Sequence, residues 1–154
     1  MTTAIFPGSF NPFTTGHKWV ADQALNIFGN LIIAIGYNVN KPVPDDLDKR
    51  IEAIRELYAS DCRVAVRAYS GLTVNLAKEV NAGYIVRGVR NTTDFEYEKT
   101  MADINREIGG METVFIPTPP HLSAISSSMV RELEQNGFDT SRFIPVPEDG
   151  GHKP

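Results

Sequence analysis

Residues 6–17, FPGSFNPFTTGH, join a short apolar run to an amphipathic segment through a turn that contains glycine. Residues 3–6, just before the turn, predict a short buried strand because they are mostly apolar. After the turn, apolar residues recur at helical spacing, namely Val20, Ala21, Ala24, Leu25 and Phe28. The stretch therefore predicts a strand, a turn and a helix in succession, which is the first unit of an α/β fold.

A histidine, His17, falls in the first turn of the predicted helix. Its i+3, i+4 and i+7 neighbours are Val20, Ala21 and Ala24, so its side chain should start on the face turned toward the sheet. The free N–H groups at such a helix end bind phosphate readily. A purely structural alternative is a hydrogen-bonded core histidine beside turn glycines. The place of His17 at the carboxyl end of the first strand, where α/β sheets bind ligands, favours a functional role.

Four further apolar runs of strand length follow, separated by segments with helical spacing. The runs are 31–35, 64–66, 84–86 and 113–116. We therefore expect an α/β fold, a Rossmann-like, doubly wound five-stranded parallel sheet with helices on both faces. The length of 154 residues fits a single domain, 1–154, and the prolines and glycines of 146–154 predict a flexible tail.

Composition and charge exclude several classes of protein. The formal net charge of −4 argues against a general binder of nucleic acid. The single cysteine, Cys62, excludes an internal disulfide framework. No apolar run approaches the roughly 20 residues that span a bilayer, and the N-terminus lacks a secretory signal pattern. We expect a soluble, cytoplasmic protein that acts on neither membranes nor nucleic acid.

Three cationic side chains follow predicted strands. Lys41 lies in a polar, proline-bearing loop after the second strand, and Arg87-Gly88-Val89-Arg90 follows the fourth. Guanidinium groups suit phosphate oxygens, and the glycine between them permits close backbone approach. A loop lysine is by itself more often simply solvated. The two arginines, at the same edge of the sheet as His17, indicate an anion site.

Helix starts supply further polar groups. Thr73 opens the third helix, where capping is the simplest role, and Thr93 with Glu96 predicts a capping box for the fourth. Glu98, on that fourth helix, is expected to be exposed. Three serines, Ser126–Ser128, stand where the last helix begins. One of them is explained as a cap, and the remaining hydroxyl and N–H groups suit a polyphosphate.

Other catalytic patterns are missing from the sequence. The first strand is not followed by a G-x-G-x-x-G fingerprint, which weakens a dehydrogenase interpretation. No nucleophile elbow is present, and the three histidines are too dispersed to predict a zinc site. We therefore predict no protein metal site.

These motifs resemble one family in particular. Residues 7–12, PGSFNP, followed by Thr14-x-Gly16-His17, are similar to the T-x-G-H signature of the nucleotidyltransferase superfamily. The run 87–90 followed by 94–98, DFEYE, resembles the phosphopantetheine adenylyltransferase family, and the similarity extends from about Ala4 to Ile144. The resemblance implies transfer of the adenylyl group of ATP to 4'-phosphopantetheine. The products would be 3'-dephospho-coenzyme A and pyrophosphate, in the penultimate step of coenzyme A synthesis.

The resemblance also implies roles for individual residues. Phosphopantetheine would contact Ser9, Lys41, Thr73 and Arg87. ATP would lie across Ser9, Phe10, His17, Gly88, Val89, Arg90, Glu98, Leu122, Ser123, Ala124, Ile125, Ser126, Ser127 and Ser128. The catalytic groups would be His17, Lys41 and Arg90, with the histidine donating a hydrogen bond to the α-phosphate. The family further implies Mg²⁺ held mainly by phosphates, assembly as a homohexamer, and feedback inhibition by coenzyme A.

Two alternatives stay open. Relatives that act on nicotinate mononucleotide, and cytidylyltransferases, usually carry H-x-G-H, whereas this chain has Thr14 in place of the first histidine. Asn11 stands where the family usually has aspartate, which slightly favours such relatives. A non-catalytic sensor of adenine nucleotides or coenzyme A is the other alternative, although a sensor has no need for transition-state donors.

Overall fold

The computed structural model describes residues 2–148, which form one five-stranded sheet with helices between the strands. The strands are β1 (Thr3–Gly8), β2 (Asn30–Gly36), β3 (Val64–Tyr69), β4 (Tyr84–Val89) and β5 (Glu112–Pro117). The helices are α1 (Thr15–Ile27), α2 (Leu47–Leu57), α3 (Thr73–Glu79), α4 (Thr92–Gly109) and α5 (Ser127–Gln135). Short 3₁₀ turns occupy Pro120–Leu122 and Ser141–Phe143.

The strand order β3-β2-β1-β4-β5, with every neighbouring pair parallel, confirms the predicted doubly wound sheet. The winding direction reverses at β1, which pairs with β2 on one side and with β4 on the other. Sheets of this kind bind ligands in the crevice outside the carboxyl ends of the strands at that reversal. The turn after β1 and the arginine segment of β4 therefore lie side by side.

The two faces of the sheet are packed by different helices. Ala4 and Phe6 of β1 belong to the larger core with side chains from α1 and α2, whereas Ile5 joins a second core with side chains from α3. This split follows the alternation of side chains along a strand. One glycine sets the position of α1, because a Cβ on Gly88 would come within 2.7 Å of Val20 Cγ2. The helix therefore lies directly on β4.

Two predicted helix caps are wrong. Thr73 does not cap α3: the N-cap position is Leu72, and the Thr73 hydroxyl instead forms a hydrogen bond of 3.0 Å with the Tyr69 hydroxyl. The capping box of Thr93 and Glu96 is not formed either, because α4 begins at Thr92 with Asn91 as its N-cap. The Asn91 side chain accepts the Asp94 N–H at 2.8 Å, and asparagine is among the strongest N-cap residues.

The ends of the chain add little to this architecture. Most of the predicted tail, 146–154, lies outside the described residues, and 146–148 form no helix or strand. Among the helices in the described part of the chain, none is sufficiently long and apolar to cross a membrane.

Candidate active site

Two cavities meet at the carboxyl edge of the sheet. The α4 cavity, of about 250 Å³, lies between the ends of β1 and β3 and the helix α4. The His17 cavity, of about 360 Å³, lies between the turn after β1, the starts of α1 and α5, and the end of β4. Residues that line both cavities are Gly8, Ser9, Arg87 and Glu98. Two ligands bound in these cavities would therefore touch at a shared wall.

Most of the predicted site residues line one of these cavities. The α4 cavity takes in Ser9, Thr73, Arg87 and Glu98. The His17 cavity takes in Ser9, Phe10, His17, Arg87, Gly88, Arg90, Glu98, Ile125, Ser126, Ser127 and Ser128. The predicted residues that line neither cavity are Lys41, Val89, Leu122, Ser123 and Ala124. The structure thus brings together residues from the β1–α1 unit, the start of α3, the β4–α4 unit and the start of α5. Lys41 lies apart from them on its exposed loop.

The imidazole of His17 is held by a capping box at the start of α1. Its Nδ1 accepts the backbone N–H of Thr14 at 2.9 Å, and the Thr14 hydroxyl accepts the His17 N–H at 3.3 Å. Thr14 is itself 1% exposed. The ring also packs edge-on against Phe10, with centroids 5.0 Å apart, and lies near Phe13. The threonine of the T-x-G-H motif therefore fixes the orientation of its histidine.

This environment decides what His17 can do chemically. Burial and, to a smaller extent, the nearby positive charges of Arg87 and Arg90 together lower the pKa of His17 from 6.5 to about 4. The ring is therefore neutral near pH 7. Because Nδ1 accepts a backbone N–H, the proton of the neutral ring sits on Nε2. His17 presents a hydrogen-bond donor to the cavity, rather than a base.

Arg87 is fixed by a buried carboxylate. Its Nε and Nη2 donate to the two oxygens of Glu98 at 2.8 and 2.6 Å, and its Nη1 donates to the Pro7 carbonyl. Burial by itself lowers the pKa of Arg87, but the hydrogen bonds and charge of Glu98 outweigh it and leave that pKa raised. Three of the five guanidinium N–H donors are used in this way, so two remain for a ligand.

Glu98 is the clearest correction to the sequence analysis. It was expected to be exposed, yet it is only 8% exposed and is paired with Arg87. The reason is tertiary: the first turns of α4 pass beside the end of β4, so a residue that a helix pattern assigns to solvent faces an arginine instead. Its position on the shared wall keeps it beside both cavities.

Arg90, which lies just before α4, is held in a similar way by Asp94, one helical turn before Glu98. Its Nε and Nη2 donate to Asp94 at 2.9 and 3.2 Å, and its backbone N–H donates to the same carboxylate at 3.1 Å. Carboxylates four residues apart on α4 thus fix the two arginines of the R-G-V-R run. Within the described residues, no group of three or more histidine, cysteine or acidic side chains is arranged to hold a metal ion.

The three serines at the start of α5 have different partners. Ser126 is the N-cap, and its hydroxyl accepts the Met129 N–H at 3.1 Å. Ser127 donates to the Pro12 carbonyl at 2.8 Å, which ties α5 to the turn after β1. Ser128 accepts a weaker bond from Arg131 at 3.3 Å. The helix N-terminus is left facing the His17 cavity, a favourable position for an anion.

Sequence reasoning named Thr14 and Asp94 only as parts of family motifs and missed that they hold the site together. The role of Asp94 could have been found from its i+4 spacing to Arg90, and that of Thr14 from its position three residues before His17. Two arginines had no such signal. Arg50 of α2 and Arg131 of α5 both reach the turn after β1, and only the packing of their helices brings them there.

Comparisons with known proteins identify the family of the chain. Residues 5–133 match the family model described as cytidylyltransferase-like. The chain is 49% identical to a phosphopantetheine adenylyltransferase of Phocaeicola vulgatus, over 94% of this chain and 96% of the relative. It is 48% identical to the protein of that name from Bacteroides thetaiotaomicron, with the same coverage.

A similarity in three dimensions extends further than the sequence similarity. A bifunctional NMN adenylyltransferase/ADP ribose pyrophosphatase from Francisella tularensis superposes with a TM-score of 0.67 at 17% identity, over 93% of this chain and 44% of that one. At that level of identity the superposition supports the fold alone. The family match and the two close relatives carry the assignment. The chain belongs to the cytidylyltransferase-like nucleotidyltransferases and, within them, to the phosphopantetheine adenylyltransferase family.

Proposed function

We propose that the chain transfers the adenylyl group of ATP to 4'-phosphopantetheine, giving 3'-dephospho-coenzyme A and pyrophosphate, the penultimate step of coenzyme A synthesis. The observation that carries the proposal is the meeting of two cavities at Arg87. A transfer between two phosphate-bearing substrates needs two adjoining pockets with a cation at their junction. The high identity to phosphopantetheine adenylyltransferases supports the choice of acceptor.

The reaction needs no protein nucleophile. An oxygen of the acceptor phosphate attacks the α-phosphorus of ATP in line, the new P–O bond forms, and the bond to pyrophosphate breaks. Because the attacking oxygen is already an anion, no base has to remove a proton. This agrees with a His17 that is neutral and bears its proton on Nε2. Catalysis consists of positioning the two phosphates and stabilising the charge that shifts during transfer.

Each residue of the site has a role in this scheme. His17 donates to the α-phosphate, Arg90 adds positive charge on the same side, and the start of α5 receives the leaving phosphates. Arg87 uses its two remaining donors on the acceptor phosphate, and Lys41 reaches that phosphate from its loop. Ser9 and Thr73 contact the acceptor in the α4 cavity. These roles rest on the cavity linings and on the family motifs.

Mg²⁺ enters this scheme with the nucleotide. Both carboxylates that line the His17 cavity, Asp94 and Glu98, are engaged by arginines, so the donors suited to the ion are phosphate oxygens. When bound, the ion would supply charge neutralisation to those phosphates. Arg90 and the free N–H groups at the start of α5 hold the same phosphates from the protein side.

Assembly and regulation follow the family pattern in this proposal. We expect a cytoplasmic homohexamer that coenzyme A inhibits. The exposed apolar side chains of α4 support subunit contacts: Tyr97, Ile104 and Ile108 are 64%, 45% and 50% exposed. Inhibition by coenzyme A has a simple chemical basis, because that molecule carries both the pantetheine and the adenylyl groups that the two cavities would hold.

The test is pyrophosphate release by the purified protein from ATP and Mg²⁺, with 4'-phosphopantetheine or nicotinate mononucleotide offered in parallel. Release with phosphopantetheine alone is the expected result, and it stops when a chelator removes the metal. Release with the mononucleotide alone would replace the proposed acceptor. ATP binding without release for either acceptor would indicate a nucleotide sensor.

A further inference from the structure

The turn between β1 and α1 contains an unusual backbone conformation. Phe10 has a φ of 46°, in the left-handed region that bulky residues seldom adopt. Its ring is nevertheless 3% exposed, and it packs on Phe6, Phe13 and His17. A residue in such a conformation persists only where its surroundings hold it there. The contacts that hold Phe10 are therefore part of what shapes the His17 cavity.

The carbonyl groups on both sides of Phe10 are each held by an arginine. Arg50 of α2 donates to the Ser9 carbonyl at 2.7 Å, and Arg131 of α5 donates to the Asn11 carbonyl at 2.6 Å. Charge-assisted bonds of this length are among the stronger hydrogen bonds in proteins. The two arginines come from helices that lie far apart in the chain, so the turn is hydrogen-bonded to both α2 and α5.

The Arg50 side chain is mostly buried and is oriented by Asp46. Only 12% of its side chain is exposed, and Asp46 lies 3.3 Å from its Nε. The remaining part of the guanidinium is thereby turned toward Ser9. Neither Arg50 nor Arg131 lines the α4 cavity or the His17 cavity. Arg50 contacts the site through the backbone of the turn, whereas Arg131 contacts both that backbone and the Ser128 hydroxyl, at 3.3 Å.

We propose that Arg50 and Arg131 are positioning residues that lock Phe10 in its left-handed conformation and so hold the Phe10 ring against His17. The chain of contacts runs from the two guanidinium groups to the carbonyls of Ser9 and Asn11, then to the Phe10 backbone and ring. The Phe10 ring meets the imidazole edge-on at a centroid distance of 5.0 Å. Releasing either carbonyl lets the turn relax, and the His17 donor loses its alignment with the α-phosphate.

The inference rests on the proposed adenylyl transfer, because its main readout is turnover. Arg50→Ala is expected to lower kcat about tenfold, since small misplacements of a catalytic group cost turnover steeply. A matched control is Arg55→Ala on the same helix. Arg55 also pairs with an acidic residue, Glu52 at 2.8 Å, and donates to a backbone carbonyl, that of Val66 at 3.2 Å, but it does not touch the turn. The kcat of Arg55→Ala is expected to stay at the wild-type value.

Chemical rescue and a double variant separate positioning from general stability. Guanidinium ion, well below denaturing concentrations, should restore turnover to Arg50→Ala and leave Arg55→Ala unchanged. Arg50→Ala combined with Arg131→Ala should lose little more than either single variant, because one released carbonyl already frees Phe10. If Arg50→Ala folds poorly, Arg50→Lys keeps the charge beside Asp46 and is expected to show an intermediate kcat.

An activity-independent measurement completes the test. Amide hydrogen exchange of a peptide covering residues 8–14 should be faster in Arg50→Ala than in wild type, and unchanged in Arg55→Ala. Wild-type kcat in a folded Arg50→Ala would overturn the inference, as would losses that simply multiply in the double variant. A wild-type protein that releases no pyrophosphate would instead refute the proposed function. In that case, unchanged amide exchange of residues 8–14 in Arg50→Ala would still contradict the proposal that Arg50 holds the Phe10 backbone.

Discussion

Arg87 of β4, Arg90 just after that strand and Lys41 of the loop after β2 carry the same charge toward the same proposed phosphates, yet the structure holds them very differently. Arg87 and Arg90 are each fixed by a carboxylate of α4 before any ligand is present. Lys41 lies exposed in the segment 37–46, where Val39 and Val43 are 65% and 59% exposed. One region of the site is therefore assembled in advance, and the other is not.

The difference has a physical origin. The preassembled region is built on strand ends and helix starts that pack on the core, so its side chains lose little freedom when a ligand binds. The Lys41 loop has no such packing and would have to be ordered at the moment of binding. Substitutions in the preassembled region should therefore change both stability and turnover, whereas a substitution of Lys41 should change turnover alone.

The largest effect is expected from His17, at the centre of the preassembled region. His17→Ala removes a donor aimed at developing charge, which costs on the order of 3 kcal/mol, or about a hundredfold in kcat. A matched pair sharpens the test. His17→Gln places an amide nitrogen near the position of Nε2, whereas His17→Asn places one near Nδ1. Steady-state kinetics should show more turnover in the glutamine variant, and equal turnover in the two would contradict the Nε2 donor.

The second effect is the dependence of stability on pH, which follows from the low pKa of His17. The unfolded chain binds a proton at this residue near pH 6.5, whereas the folded protein does so only near pH 4. Between pH 4 and pH 6.5 the unfolded state therefore holds more protons than the folded state. The free energy of unfolding keeps its full value above pH 6.5 and falls by roughly 3 kcal/mol as the pH drops from 6.5 to 4.

Denaturant unfolding of wild type and His17→Gln at pH 7.5 and pH 4.5 measures this effect. The variant lacks the titrating imidazole, so its loss of stability on acidification should be smaller than that of wild type. Equal losses in the two proteins would mean that the pKa of His17 keeps its ordinary value of 6.5 in the folded protein. That result would contradict a site that lowers the pKa to keep the ring a neutral donor.

The third effect concerns the ion pair that defines the preassembled region. Glu98→Gln takes the charge from the partner of Arg87 and weakens two charge-assisted hydrogen bonds, at a cost of about 2 kcal/mol in the free energy of unfolding. Turnover should fall with it, because the guanidinium loses its orientation. Glu96→Gln, an exposed position on the same helix, is the control and should change neither quantity. Unchanged stability in Glu98→Gln would show that Arg87 is not held by this pair.

The smallest effect is expected from Lys41→Ala. Turnover should fall about tenfold through loss of one flexible cation, while the melting temperature stays at the wild-type value because the side chain is exposed. Lys78→Ala, an exposed lysine on α3, serves as the control for removal of a surface charge. A lower melting temperature in Lys41→Ala would show that its loop is packed in solution, and the contrast between the two regions would disappear.

The local signals in the sequence were strong enough to predict the fold class and the first unit. Apolar runs at strand length and the glycine turn before His17 are properties of neighbouring residues, so they can be recognised without tertiary contacts. Two of the errors arose at helix starts, and the third was the expected exposure of Glu98 within α4. Thr93 and Glu96 satisfied the spacing of a capping box, but Asn91, two residues earlier, formed the cap instead. The spacing of polar residues along the chain identifies candidate N-caps. The direction in which the chain enters the helix decides which candidate forms the cap.

The sequence by itself determined the parallel α/β sheet, the turn that carries His17 and the run of cations from Arg87 to Arg90, because hydrophobic period and local motif encode them. Only the tertiary structure decided that Glu98 is buried against Arg87, that His17 is a neutral donor, and that Arg50 and Arg131 grip the turn at Phe10. These features depend on which elements lie against each other. Burial and pairing are properties of that packing, and no spacing along the chain specifies them.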